Sequence, residues 1–271
     1  AREDGGPVED DPRRIWRRFA ENFHLFRGTP SALWLNHSFE HVFGIGEPLN
    51  AATADSCYDH IDACLARPDY HPRALFDRFG IEALATTEGA LDDLRWHQMI
   101  GDSGWQGRVV TTYRPDTVVD PESPGFRKNV QAMGDLTGED TQSWEGYLAA
   151  HRKRRAVFKS MGATASDHGH ATARTENLAP REAEALFARV MSDACTAQEA
   201  DAFRGQMLTE MAKMSLDDGL VLQIHPGSHR NHSAPVFREF GRDKGFDIPT
   251  RTDYVSALKP LLDAVGMERG L

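Results

Sequence analysis

Eight residues, His225-Pro-Gly-Ser-His229-Arg230-Asn231-His232, gather three imidazoles, a guanidinium and an amide behind a Pro-Gly turn. Imidazole is the side chain best suited to moving protons near neutral pH and to binding metals. A second group, Asp167-His168-Gly169-His170, carries a His-x-His. On an extended strand that spacing turns both rings to one face, which suits two ligands of one ion. A metal held by His168, His170 and His225 is geometrically open, although His-x-His is also common without metal. Two further polar tips are Thr86-Thr87-Glu88 and Tyr113-Arg114-Pro115-Asp116. Blander readings stand beside these: a satisfied core histidine at His225, and at Arg114-Pro115-Asp116 a turn with its own Arg–Asp pair. His229 and His232 read as loop residues, and His97 as a structural residue on a helix.

Such tips need strands to carry them. Leu220-Val-Leu-Gln-Ile224 reads as a strand buried on both faces, the kind found in parallel sheets covered by helices. Ile81–Thr87 and Arg108–Tyr113 read as two more, and a fourth strand end is marked by Asp167-His168-Gly169-His170. Between them the periodicity predicts helices over Ala90–His97, Ser143–Met161, Pro180–Ala194 and Ala197–Asp217, with a last one over Thr252–Ala264. The run Arg152-Lys-Arg-Arg155 reads as a solvated helix face. Strands alternating with helices imply βαβ units and a parallel sheet. In such sheets the loops after the strands converge on one mouth, and chemistry collects there.

The first eighty residues differ. Residues 1–11 are acidic and are expected to fray. Helices are predicted over Pro12–Ala20, Thr53–Ala66 and His71–Phe79, with an apolar stretch from Ala32 to Phe43 and no strand. Trp16, Phe19, Phe23 and Phe26 read as packing surface. The expected organisation is therefore a helical subdomain over residues 1–79 and an α/β domain over 80–271.

Composition narrows the function classes. A net charge of −10 argues against a nucleic-acid partner, which would require a basic surface. It leaves small acidic substrates open, because local Arg and His can invert the potential inside one pocket. No apolar run approaches membrane length, and the first residues are charged, so a cytoplasmic protein is expected. The three cysteines, Cys57, Cys64 and Cys195, are too few and scattered for a disulfide framework and read as free thiols.

Several motifs occur in one order: Phe26-Arg27-Gly28-Thr29-Pro30, Trp34-Leu35-Asn36-His37, Phe43-Gly44-Ile45, Thr86-Thr87, Asp92-Asp93-Leu94 with His97, Arg114-Pro115-Asp116, Ser166-Asp167-His168, and His225-x-Gly-x-x-Arg230-Asn231. Together they resemble the uronate (glucuronate) isomerases of the amidohydrolase superfamily, from about residue 19 to about residue 250. The resemblance implies an α/β fold in which residues 80–271 form a partial (β/α)8 TIM-barrel-like parallel sheet. It implies interconversion of D-glucuronate with D-fructuronate, and of D-galacturonate with D-tagaturonate. That reaction needs a base to move a proton between C2 and C1, an electrophile for the enediol charge, and a clamp for the C6 carboxylate. His225 and His168 are the expected catalytic pair and the expected metal contacts. Arg114 and Arg230 are the expected carboxylate clamp, since a guanidinium grips a carboxylate bidentately, with Asn231 and His37 as further substrate contacts. The implied cofactor is Zn2+ or another divalent metal acting as a Lewis acid.

The pattern also departs from the family. A metal-binding His-x-His after the first barrel strand and an Asp after the last have no counterpart here, and Glu88-Gly89-Ala90 stands where Asp-Asp-Pro is usual. The expectation is a central portion of the enzyme lacking both ends. Two alternatives follow. One is a metal-dependent hydrolase or decarboxylase of the same superfamily, with His168, His170 and His225 acting on a bound water. The other is a truncated, non-catalytic remnant whose open sheet edges need a partner or self-association into a homo-oligomer.

Overall fold

A computed structural model describes residues 8–192 and 194–270. They divide into two compact units that part between Ile81 and Glu82. Of the acidic stretch expected to fray, residues 1–7 lie outside the described residues, as does Asp193 in the helix predicted over Pro180–Ala194.

The first unit is helical: α1 (Pro12–Glu21), α2 (Pro30–His37), α3 (Ala54–Leu65) and α4 (Pro72–Arg78). Local chemistry starts each early helix. The Asp11 carboxylate accepts the N–H groups of Arg13 and Arg14 while Pro12 fills the first turn of α1. Thr29 caps α2 ahead of Pro30 in the same way. The apolar stretch from Ala32 to Phe43 is not one α-helix, because after His37 the chain widens into a π-type turn, Ser38–Val42. Ala20, Phe23, Phe39, Leu49, Ala54 and Cys57 form the core, with Trp16, Phe19 and Phe26 packed against it. The Trp16 indole N–H reaches the Ala54 carbonyl at 2.7 Å, fastening α1 to α3. The aromatic run is packing surface.

The second unit runs β1 (Leu84–Gly89), α5 (Arg95–Asp102), β2 (Val109–Arg114), α6 (Asp116–Val119), α7 (Phe126–Thr137), α8 (Trp144–Ser160), β3 (Ala165–His168), α9 (Pro180–Val190), α10 (Ala197–Asp218), β4 (Val221–Ile224), β5 (Ser228–His229), α11 (Ala234–Phe240), β6 (Ile248–Pro249) and α12 (Tyr254–Val265). Strands β1 to β4 pair in sequence order, every pair parallel. This is the α/β parallel sheet that the alternation implied. Among the described residues no helix is long and apolar enough to cross a membrane.

Burial follows position in the sheet. Val110–Tyr113 of β2 and all four residues of β3 are buried. The outer strands are not, which corrects the expectation of a doubly buried strand at Leu220–Ile224. Leu222 and Ile224 pack on Leu208, Ala212, Leu261 and Val265 of α10 and α12, whereas Val221 on the other face is 63% exposed. Helices cover one face of this edge strand, so the period-two alternation shows through the apolar sequence.

Three further departures appear in this unit. The helix expected from Ala90 begins only at Arg95. The carboxylates of Asp92 and Asp93 accept the N–H groups of Leu94 and Arg95, and Leu94 is left-handed at φ 56°, so these residues turn the chain instead of winding it. Helices α7 and α11 and the two-residue antiparallel pair β5–β6 had no expectation at all. The basic run on α8 is a solvated face only at Arg152 and Lys153, which are exposed. Arg154 is buried and donates to the carbonyls of Ala90 and Asp92 at 2.7 Å each, and Arg155 is wholly buried against Asp218.

One turn before these arginines, His151 is fully buried with its Nδ1 2.7 Å from the Tyr113 hydroxyl. Burial first, then the charges of Arg155 and Arg152, push its pKa down from 6.5 to about 3. Because the folded value is the lower one, the unfolded chain takes up this proton first. Stability from this group is complete above pH 6.5 and is lost as pH falls toward 3. The slope is about 1.4 kcal/mol per pH unit for one such histidine. Urea denaturation at about pH 6 and about pH 5 should therefore show wild type losing roughly 1 kcal/mol more than His151→Gln. Parallel losses in the two proteins would remove His151 as the cause.

Candidate active site

Three strand ends of the second unit deliver polar groups to one place; β1 adds only Gly89, because Glu88 of its expected polar tip accepts the Thr111 hydroxyl and lies 3.6 Å from His97. Strand β2 ends at Arg114, and Pro115 turns the chain so that Asp116 comes back beside it. The Arg114 Nε donates to Asp116 Oδ2 at 2.9 Å, and Asp167 Oδ2 stands 3.6 Å from the same nitrogen. Burial alone would depress the Arg114 pKa, but the hydrogen bond and charge of Asp116, then Asp167, hold it above its usual value. The second oxygen of Asp116 accepts the Gly169 N–H at 3.2 Å. The Arg–Asp pair read as a bland alternative is thus formed, and it lies within the site.

Strand β3 supplies the imidazoles. His168 is fully buried, with Nε2 3.2 Å from the Ser166 hydroxyl and no partner for Nδ1. His170 is buried with neither ring nitrogen partnered. Burial drives the His168 pKa well below the usual range, helped by the neighbouring His170. It drives His170 down to about 4 against the opposing pull of Asp116. Both rings are neutral at physiological pH, which is the ligand form. The donor atoms of Asp116, His168 and His170 all lie within 4.8 Å of one another. Unpartnered buried nitrogens are costly, and a divalent cation satisfies them together, so the donor set fits a metal.

Gly169 makes the convergence possible. A Cβ there would overlap the Arg114 Nη2 and come within 2.8 Å of Asp116 Oδ2 and 3.3 Å of His225 Cε1. His225 follows β4, with Nε2 2.9 Å from Asp167 Oδ1. Asp167 therefore stands between Arg114 and His225, fixing the imidazole by one oxygen. Of the two histidines expected at a metal, only His168 is in the donor cluster; His225 pairs with Asp167, and Asp116 and His170 complete the set.

A cavity of about 610 Å³ opens beside these groups, with the expected catalytic residues His168 and His225 behind its wall and not on it. Gly89 at the end of β1, Arg114 and Asp116 after β2, Gly169 and His170 after β3, and Arg230 after β4 all line it. Arg204 of α10, which the sequence reading passed over, closes one side and is tied to Asp120 and Glu122 at 2.7 Å each. Asn231 is absent from the lining. Its backbone is left-handed at φ 56°, its N–H donates to Asp247 at 2.8 Å, and its amide oxygen accepts the Asp243 N–H at 2.8 Å. His37 belongs to the helical unit, exposed at the end of α2 with its ring 4.4 Å from that of His41. His97 meets the Thr86 hydroxyl at 2.8 Å, joining α5 to β1.

The model of the glucuronate isomerase family matches residues 6–271. The uronate isomerase of Mesorhizobium japonicum is 66% identical over 268 residues, covering 99% of this chain and 57% of that protein. That of Rhizobium meliloti is 64% identical with the same coverage. Among solved structures, the glucuronate isomerase of Caulobacter crescentus superposes with a TM-score of 0.94 at 55% identity, over 99% of this chain and 56% of that one. The uronate isomerase of Thermotoga maritima gives 0.88 at 26% identity, over 94% and 57%. The chain thus spans a little over half the length of the relatives it matches.

Proposed function

This chain belongs to the glucuronate isomerase family, and from that premise we propose that it takes part in metal-assisted aldose–ketose isomerisation of uronic acids, D-glucuronate to D-fructuronate and D-galacturonate to D-tagaturonate. The observation that carries the reading is the cavity shared by four strand ends, with guanidinium groups on its wall and a His–Asp pair beside it. Arg114 and Arg230 take the acidic sugar as hydrogen-bonded cations, Arg114 held in place by Asp116. His225 moves the proton between C2 and C1, its ring fixed by Asp167 through Nε2. Asp116, His168 and His170 would hold a divalent metal such as Zn2+, which when bound supplies Lewis acidity toward a sugar oxygen. His168 is wholly buried, so its task is to hold the ion, and proton transfer falls to the more accessible His225.

The test is direct. The folded chain, supplied with Zn2+, is incubated with D-glucuronate and with D-galacturonate, and ketose formation is followed by NMR. Appearance of the ketose with a loss of at least tenfold in His225→Asn supports the assignment. No ketose from a folded, zinc-loaded chain overturns the activity for this chain.

A further inference from the structure

Four guanidinium groups line the cavity, and they differ in what already occupies them. Arg114 is engaged by Asp116 at 2.9 Å, and Arg204 by Asp120 and Glu122 at 2.7 Å each. Arg230 has Asp247 at 3.6 Å, beyond hydrogen-bond length. The fourth, Arg242, lies on the loop after α11, lines the same cavity, and has neither an ion pair nor a hydrogen bond to any described residue. A carboxylate already on a guanidinium offsets part of the charge it offers an incoming anion, whereas an unengaged guanidinium offers all of it and loses only water.

The loop that carries Arg242 is held in shape. The Asn231 amide oxygen accepts the N–H of Asp243, next to Arg242, while the Asn231 N–H donates to Asp247. The His232 N–H reaches the Phe246 carbonyl at 3.0 Å, so both ends of the segment are fastened to the chain that follows β5. Asp243 and Phe246 are left-handed at φ 60° and 64°, flanked by Gly241 and Gly245 with φ 80° and 85°. Such a conformation persists only where its surroundings fix it.

We propose that Arg242 is a substrate-binding residue that takes the carboxylate of the acidic sugar, with Asn231 as the residue that positions its loop. This rests on the uronate reading above and names the group that reads the acid. Arg230, only loosely paired and on the segment that Asn231 fastens to Asp243, shares the anion.

Isothermal titration of the zinc-loaded chain with D-glucuronate and with its neutral amide, D-glucuronamide, tests it. Arg242→Gln is expected to weaken D-glucuronate binding roughly tenfold to a hundredfold, the loss of one or two charge-assisted hydrogen bonds, while changing D-glucuronamide by less than about threefold. Arg242→Lys should recover part of the loss, because it restores the charge without the fork. Equal binding of D-glucuronate by wild type and Arg242→Gln overturns the role of Arg242 and leaves the uronate reading standing. An equal loss for acid and amide also overturns it, since the contact would not be to the carboxylate. A wild-type chain that binds no uronate overturns both.

Discussion

Asp218→Ala is expected to destabilise the second unit by about 3–5 kcal/mol, because it strands a buried cation. The Arg155 side chain is wholly buried and grips Asp218 with both prongs, Nε to Oδ2 at 2.6 Å and Nη2 to Oδ1 at 2.8 Å, with Ser215 as a third partner at 3.1 Å. Asp218 keeps some contact with water, so the lower end of the range is expected. Burial pushes the Asp218 carboxyl up, but the Arg155 hydrogen bond, the Leu220 N–H and the Arg155 charge outweigh it and hold the group below 3.8. A carboxyl depressed on folding contributes stability above its unfolded pKa and loses it as pH falls through the folded value. The contribution is therefore complete at neutral pH and absent in strong acid. Removing both partners is gentler than removing one: Arg155→Met with Asp218→Leu should cost less than Asp218→Ala alone, since no charge is left without its partner. Chemical denaturation of the single and double variants decides this. If Asp218→Ala loses under 1 kcal/mol by the same measure, water reaches the guanidinium and the pair is a surface one.

That ion pair marks the limit of what the sequence could convey. Arg152-Lys-Arg-Arg155 read as a solvated face because charge density along one helix says nothing about what lies opposite it. Asp218 is sixty-three residues away, at the far end of α10. Patterns with short range were legible: the parallel sheet from alternating strands and helices, the Ser143 start of α8, the Ala197 start of α10, the aromatic packing of α1. The polar tips were legible too, because apolar runs stop abruptly at Arg114, His168 and His225. What each tip meets was not. Asp116 and Asp167 stood beside the singled-out residues as companions of a motif, yet one completes the donor cluster and the other fixes His225. Arg204 and Arg242 sit on a helix and in a loop without a motif, and only the fold brings them to the cavity wall. The burial of Leu220–Ile224 was overestimated because an apolar strand looks alike whether one or both of its faces are covered.

The donor cluster gives the second large expected effect. His170→Ala should weaken Zn2+ binding by at least about a hundredfold, since it removes one of three protein ligands where even outer partners of a ligand are worth tenfold or more. His168→Ala and Asp116→Ala should do the same, read by competition against a chromophoric chelator, with no catalytic assay involved. His225→Ala separates this cluster from the pair that the family resemblance implied. Its Nε2 is already held by Asp167 at 2.9 Å, so losing the ring should change zinc affinity by less than about threefold. If His225→Ala and His170→Ala lose affinity alike, the ion sits between β3 and β4 and not against Asp116. Stability reports the same linkage independently. An ion that binds only the folded chain adds about 2.7 kcal/mol at a hundred times its dissociation constant, so stripping zinc with a chelator should lower the wild-type unfolding midpoint. His170→Ala, binding the ion at least about a hundredfold more weakly, should shift far less than wild type when the chelator is added. The two buried imidazoles cost the apo protein unmet hydrogen bonds, and replacing one by alanine removes part of that cost. His170→Ala should therefore be less destabilised in chelator than in zinc when each is set against wild type, an ordering that a purely packing role for His170 does not produce.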